Sequence, residues 1–402
     1  MADLFRPLRR PVFSRLWGAT MLAHLGFWVQ DTTLGWLIVG LTASPQQVAL
    51  VPVAAMLPMF LLALPAGALG DMVDRRRLLL VTQTFLVLAL AIFVAALLAD
   101  AVTIGGVLLF ALVSGTLNAL SGPSRQSILP QLVPKDEVRA AVTLGAIGFN
   151  ASRAIGPMVG GVLLAALGAP AALAAYAISC VLVALAIASW REERQPTGEL
   201  RLGRDLVAGL RYMFGTPTLR NALLLSTAFF VAIAPLWAFL PLVAKGFANG
   251  DSGIFSLFMM AVGSGAVIGG FSGHLNGRNG FLPSFRNGAL VAAAGLTVTG
   301  LATTMVPTLV GLFLAGLGWI GVSAGINTHV LLESETAFRS RAIALTMVAF
   351  AGGLALGSTV WGQIARLIGV AGSYEASAAI LTALATGAAI VGRRASAATT
   401  AS

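Results

Sequence analysis

Apolar residues in this chain come in long unbroken runs. They fall near 14–41, 46–70, 77–99, 102–122, 138–168, 170–190, 218–244, 253–273, 283–305, 308–332, 340–368 and 371–392. Each reaches the roughly 20 residues a helix needs to cross the hydrocarbon core of a bilayer. The runs lack the period-two alternation of membrane strands, and only helices or closed barrels satisfy the backbone in lipid. The pattern therefore predicts twelve membrane-spanning helices. Its longest polar interruption, REERQPTGELRLGRDLVAGLRYMFGTPTLRN at 191–221, divides them six and six. Within it, Leu200 to Phe214 has the spacing of an amphipathic helix lying on a membrane surface. The expected units are 1–190, a connecting loop at 191–217, and 218–402.

Composition sharpens this picture. Hydrophobic residues make up 57% of the chain and charged residues 10%, against about 25% charged in soluble domains. The N-terminus, MADLFRPLRRPVFSRLWG, is basic and then apolar, but its apolar run outlasts the ~7–15 residues of a signal peptide. It is expected to stay as the first helix. Cys180 is the one cysteine, and the three histidines lie far apart, so neither a disulfide, a metal site nor a cofactor is expected. No P-loop, H-E-x-x-H or G-x-S-x-G occurs, which argues against an enzyme. The outer connections, under about ten residues each by these spans, leave no receptor domain and no docking surface for a soluble carrier.

The charge distribution sets direction. Of 25 Lys and Arg, all but Arg153, Lys245 and Arg366 fall on one side of the twelve-span arrangement. Such a bias marks the cytoplasmic side, so both termini are expected in the cytoplasm of a multi-pass protein of the bacterial inner membrane. The net charge of +10 is then a topology signal, and no nucleic-acid partner is expected.

The two halves echo each other. GALGDMVDR at 67–75 aligns with GFSGHLNGR at 270–278, with His274 where the first copy has Asp71. IGPMVGG at 155–161 aligns with LGSTVWG at 356–362. Duplicated helical halves are a feature of transporter folds.

Several motifs carry a resemblance to a known family. Gly67-Ala-Leu-Gly-Asp71-Met-Val-Asp74-Arg75-Arg76-Arg77 is similar to the signature loop of the major facilitator superfamily, G-x-L-x-D-x-x-G-R-R, with Asp74 in place of glycine. SGPSRQSILPQLVPKDEVRAAVTL at 121–144 and NASRAIGPMVGG at 150–161 resemble the branch containing enterobactin exporters and macrolide efflux pumps. GPMVGG also matches the fifth-helix antiporter motif, through Gly156, Pro157, Gly160 and Gly161. The resemblance implies an all-α fold of two pseudo-symmetric six-helix bundles, acting as a monomer. It implies proton-coupled export of small amphiphilic molecules such as drugs or siderophores by alternating access. A lipid flippase or an importer of the same fold is the alternative. It further implies an inner gate latch formed by Gly67, Asp71, Asp74 and Arg75 against the start of helix eleven at Arg339 and Arg341. The bland reading of those charges is that they only set topology.

Charges inside the spans are the remaining candidates. Asp31 lies deep in helix one, where a charge costs about 2.5–3.5 kcal/mol on insertion scales, so it should face a cavity or a partner. It reads as a proton carrier or as a structural carboxylate paired with an arginine or with Thr32 and Thr33. Arg153, in mid-helix five, reads as a fixed counter-ion, with Asp31 as one partner, or as a group that binds anionic substrate. Ser152, Gly156 and Gly160 form a small-residue ridge beside it, and Pro157 is expected to kink the helix. Gln30, Asn118, Asn150 and Asn327 are polar groups in apolar spans, read as helix–helix glue or as cavity ligands. Trp28, Phe149 and Phe230 could wall a substrate cavity, whereas Trp36 and Trp237 read more as interfacial or core aromatics. His329 and Glu333 are a weaker candidate relay.

Overall fold

A computed structural model describes residues 2–128, 132–134, 136–189, 202–247, 251–272, 280–335 and 338–400. Every regular element among them is helical. After a 3-10 segment, Ala2–Arg9, come α1 (Pro11–Leu41), α2 (Pro45–Met72), α3 (Arg75–Leu98), α4 (Ile104–Ile128), α5 (Val138–Ala188) and α6 (Leu202–Gly215). Then follow α7 (Pro217–Gly246), α8 (Ser252–Phe271), α9 (Phe281–Leu301), α10 (Met305–Glu333) and α11 (Arg339–Thr400). Eight of these are long and apolar enough to cross a membrane. Two of the eight, α5 and α11, are double length, and α1 and α9 also reach spanning length, which accounts for twelve.

The double helices are broken at equivalent places. Gly168 (φ 78°, ψ 169°) interrupts α5 and Gly369 (φ 76°, ψ 172°) interrupts α11. A side chain is disfavoured at such angles, so glycine turns the chain there without a loop. The two breaks lie 201 residues apart, the offset that relates GPMVGG to its echo. By contrast, α5 keeps helical angles through Pro157.

Local sequence explains the helix ends. Pro11 and Pro217 open α1 and α7, where a missing N–H costs nothing. Asp74 caps α3, its Oδ1 accepting from Arg77 N at 2.8 Å, and Asp251 caps α8 through Ile254 N at 2.9 Å. Arg76 donates to the carbonyls of Ile187 and Ala188 at the far end of α5. Arg125 lies within α4, not in the connection after it. The helix continues past Pro123, and Arg125 turns inward to donate to Ser121 Oγ at 2.8 Å. In α6, Tyr212 stacks on Phe338 and accepts from the Glu335 N–H, tying the connecting segment to the start of α11.

Within the first half α1 packs on α5 and α2 on α4; within the second, α7 packs on α11 and α8 on α10. The halves meet through α2 against α11 and α5 against α8. Small residues make both kinds of contact. A Cβ on Gly156 would lie 2.6 Å from Trp28 of α1, and one on Gly357 would lie 2.6 Å from the Val231 carbonyl of α7. A Cβ on Gly161 would meet Ser256 of α8 across the interface at 3.0 Å, and one on Gly362 would meet Ala49 of α2 at 3.0 Å. The duplicated motif thus performs the same two packing tasks in each half.

Candidate functional site

The centre of the molecule is an aromatic seam crossing from one half to the other. Trp28 of α1 lies 6.0 Å, ring to ring, from Trp237 of α7, which lies 4.8 Å from Trp319 of α10. Phe27 stands edge-on to Trp28, and Phe230 of α7 meets Phe350 of α11 at 5.0 Å. Into this seam α5 projects Arg153. Its guanidinium lies 4.5 Å from the Trp319 ring centroid and 5.0 Å from that of Phe350. Arg153 is 4% exposed, and its Nε and Nη2 have no hydrogen-bond partner among the described residues. The indole nitrogens of Trp237 and Trp319 are likewise buried and unpartnered.

Asp31 is half-buried on α1, one turn from Trp28 and one turn from Gly35. Both neighbours touch α7, Trp28 at Trp237 and Gly35 at Pro241. Among the described residues no ion pair joins Asp31 to Arg153, because Arg153 extends instead to the aromatic rings of the opposite half. The C-terminal counterparts at the same 201-residue offset are Ala232 and Leu354, so both central charges belong to the first half alone.

The other candidates divide. Gln30 donates to Ser114 Oγ at 2.8 Å, which ties α1 to α4, and Asn118 donates to the Ser114 carbonyl one turn back in α4 at 2.9 Å; both bonds stay within the first half. Phe149 meets His24 of α1 edge-on at 5.1 Å. Asn327 is half-buried on α10. Ser152, Gly156 and Gly160 form the surface on which α1 lies, against Met21, Trp28 and Thr32. His329 stacks on Phe281 and, with Arg286, lines an apolar groove of about 1180 Å³ within the second half, away from the seam. The side chains of Gly67, Asp71, Asn150 and Arg339, and the segment holding His274 and Arg278, lie outside the described residues. Asp74, a candidate for the latch, is the α3 cap.

Sequence reasoning missed Trp319 and Phe350 and placed Trp237 away from the centre. Nothing local distinguishes an aromatic that meets a partner from one that faces lipid. One signal was present. Arg153, Lys245 and Arg366, the cations outside the side-to-side bias, all reach the opposite half. Lys245 donates to the Val39 carbonyl, and Arg366 Nη1 donates to Gln46 Oε1 at 3.3 Å. Trp36 stacks on Phe255 at 5.4 Å in the same layer as these two. Among the described residues, the named side-chain contacts between the halves run from the middle of the helices toward the end opposite the termini.

A family model described as "Transmembrane secretion effector" matches residues 2–400. The staphyloferrin A transporter of Staphylococcus aureus is 33% identical over 169 residues, 42% of each chain. The multidrug efflux pump Tap of Mycolicibacterium fortuitum is 26% identical over 215 residues, 50% of this chain and 52% of that one. The match thus spans about half the length of these curated relatives. Among solved structures, an inward-facing, occupied bacterial homologue of the lysosomal transporter Spinster superposes with a TM-score of 0.72 at 16% identity, covering 96% of this chain and 97% of that one. The nucleoside transporter NupG gives 0.70 at 13% identity, over 94% and 98%. At these identities the two structures speak to the fold alone.

Proposed function

The chain belongs to the transmembrane secretion effector family of the major facilitator superfamily, and on that footing we propose that it exports small amphiphilic organic molecules in exchange for protons. It is a transporter, not an enzyme. Relatives named as a staphyloferrin A transporter and a multidrug efflux pump support substrates of this kind, drugs or siderophores among them. The observation that carries the reading is the seam of Trp28, Trp237, Trp319 and Phe350 around Arg153, midway along the helices between the halves. Transporter folds built from repeats place their substrate sites there.

In this reading the basic end is cytoplasmic, the units 1–190 and 218–402 rock about the seam, and 191–217 tethers them on the inside. Lys245, Arg366 and Trp36 then clasp the outer side. Asp31 supplies the proton step, because it is the one carboxylate at that depth, next to residues that touch α7. A potential of 100 mV supplies about 2.3 kcal/mol per charge and one pH unit about 1.4 kcal/mol. One proton exchanged for one neutral molecule could therefore sustain a gradient on the order of 500-fold. Asp31→Asn is expected to abolish uphill export in proteoliposomes with an imposed pH gradient while downhill exchange survives. Uphill export at the wild-type rate would place coupling elsewhere, with His329 and Glu333 next in line.

The signature loop supplies the inner gate. There Asp71, at the end of α2, meets the positive N-terminal end of α11 while the inside is closed. Asp71→Asn should leave the protein in the membrane and slow efflux; unchanged efflux would reduce the loop to a topology signal. The apolar groove beside Arg286 and His329 favours a second reading, lipid or lysolipid movement. Translocation of a fluorescent lysolipid in the same vesicles tests it.

A further inference from the structure

The buried, unpartnered polar atoms of the seam's rings and of Arg153 are all donors. Arg153 Nε and Nη2, Trp237 Nε1 and Trp319 Nε1 carry N–H groups, and none has an acceptor among the described residues. They belong to three side chains in direct succession, Trp237 against Trp319 and Trp319 against the guanidinium. The guanidinium carbon lies over the Trp319 and Phe350 rings, which offer no oxygen acceptor to its Nε–Nη2 edge. A buried cation with unmet donors is costly, so its ligand should bring negative charge and acceptor oxygens.

The same chain shows how that edge is satisfied. At the N-terminal turn, Arg10 uses Nε and Nη2 to hold the two oxygens of Glu137, at 2.9 and 3.0 Å. A carboxylate matches this pair of nitrogens because its two oxygens have the spacing of the fork. Asp31 does not fill that role at Arg153, and no other acidic residue falls in mid-span at this depth. The aromatic walls add a surface for an apolar or planar body.

We infer that Arg153 binds the carboxylate of an anionic amphiphile, with Trp237 and Trp319 holding its apolar body and offering further N–H donors. The inference deepens the proposed transport reading by naming the substrate class. Arg153 is then a substrate-binding residue that touches both halves, so its ligand would be held where their movements meet.

The test is equilibrium binding to the full chain in lipid nanodiscs, with empty nanodiscs subtracted. The probes are radiolabelled 2-naphthoate and its neutral analogue 2-naphthalenemethanol. The wild type is expected to bind naphthoate saturably and about tenfold or more tightly than the alcohol, the scale of a charge-assisted hydrogen-bond pair. Arg153→Met should bring naphthoate down to the affinity of the alcohol while leaving the alcohol unchanged. Arg153→Lys, a point charge without the fork, should fall between. Equal binding of the two probes by the wild type, an undiminished preference in Arg153→Met, or no saturable naphthoate binding would overturn the inference. If Arg153→Met does not fold, wild type against Arg153→Lys decides: an unchanged preference in Arg153→Lys overturns the fork and a reduced one supports it. Because binding is read without transport, loss of export in vesicles with this preference intact would strike the transport reading alone.

Discussion

At the scale of single residues, the charged groups fall into two sets. Among the described residues, Arg6, Arg10, Arg76 and Arg125, at the termini end, are partnered within one half. Arg10 and Arg6 both reach Glu137, whose side chain is 4% exposed, and pin the N-terminal turn to the start of α5. The Arg10 guanidinium holds the Glu137 carboxyl below the usual carboxylate range. A depressed carboxyl stabilises the folded arrangement above its unfolded value, about 4.3 for glutamate, and loses that contribution as pH falls through the depressed value. A fluorophore on a Phe5→Cys variant should therefore report a fixed N-terminal turn at neutral pH and its release only below about pH 4.3. Glu137→Gln should release it at neutral pH as well. The buried native Cys180 leaves such labelling selective. In the second set, Arg153, Lys245 and Arg366 reach across to the other half. A residue number shows that a charge is out of place; it does not show which neighbour receives it.

At the scale of elements, two glycines do the work of two loops. Gly168 and Gly369 turn α5 and α11 back at the end opposite the termini with nearly identical angles. Non-glycine residues in such sparsely populated conformations cost on the order of 1–3 kcal/mol. Gly168→Ala and Gly369→Ala should each lower stability by about that amount, read as an earlier midpoint in detergent-induced unfolding. The double variant should show the two losses adding, because the sites lie in different halves. Ala at Gly18, where an added Cβ meets nothing within 4 Å, is the control. The helices themselves were legible from run length. The bends at 168–170 and 369–370 also appear in the runs, as breaks of one or two residues. The extension of α4 to Ile128 was not legible, because Gly122-Pro123 looks like a stop in sequence, yet the helix continues to seat Arg125 inside the first half.

At the scale of the whole molecule, the layer opposite the termini holds the halves together with little charge. Lys245 lies at the end of α7 and donates to a carbonyl near the end of α1, where the helix dipole favours a cation. Arg366 bonds Gln46 of α2. With Trp36 on Phe255, these are the contacts that opening at that end must break. Lys245→Met combined with Arg366→Met should shift the population toward separated outer ends. Spin labels at Ala43 and Val306, one in each half, should then show a longer distance component than in the parent. An unchanged distribution would show that apolar packing alone, Gly161 on Ser256 and Gly362 on Ala49, holds the outer side.

Much of this architecture was determined by sequence alone, for reasons that act locally. Lipid demands helices of fixed length, so apolar runs count spans. Basic residues resist crossing the membrane, so their distribution predicts direction. Duplicated glycines mark where backbones must approach, so the 201-residue echo predicted two similar halves. What tertiary structure decided was pairing. Arg153 and Asp31 both fall in mid-span by run length, and position along the helix is all that a linear pattern encodes. Which way each side chain faces depends on how α5 and α1 lie against their neighbours. The glycine ridge of α5 seats α1 on one side, and Arg153 reaches α10 and α11 on another. That packing separates the two charges and sets the guanidinium among aromatic rings of the opposite half.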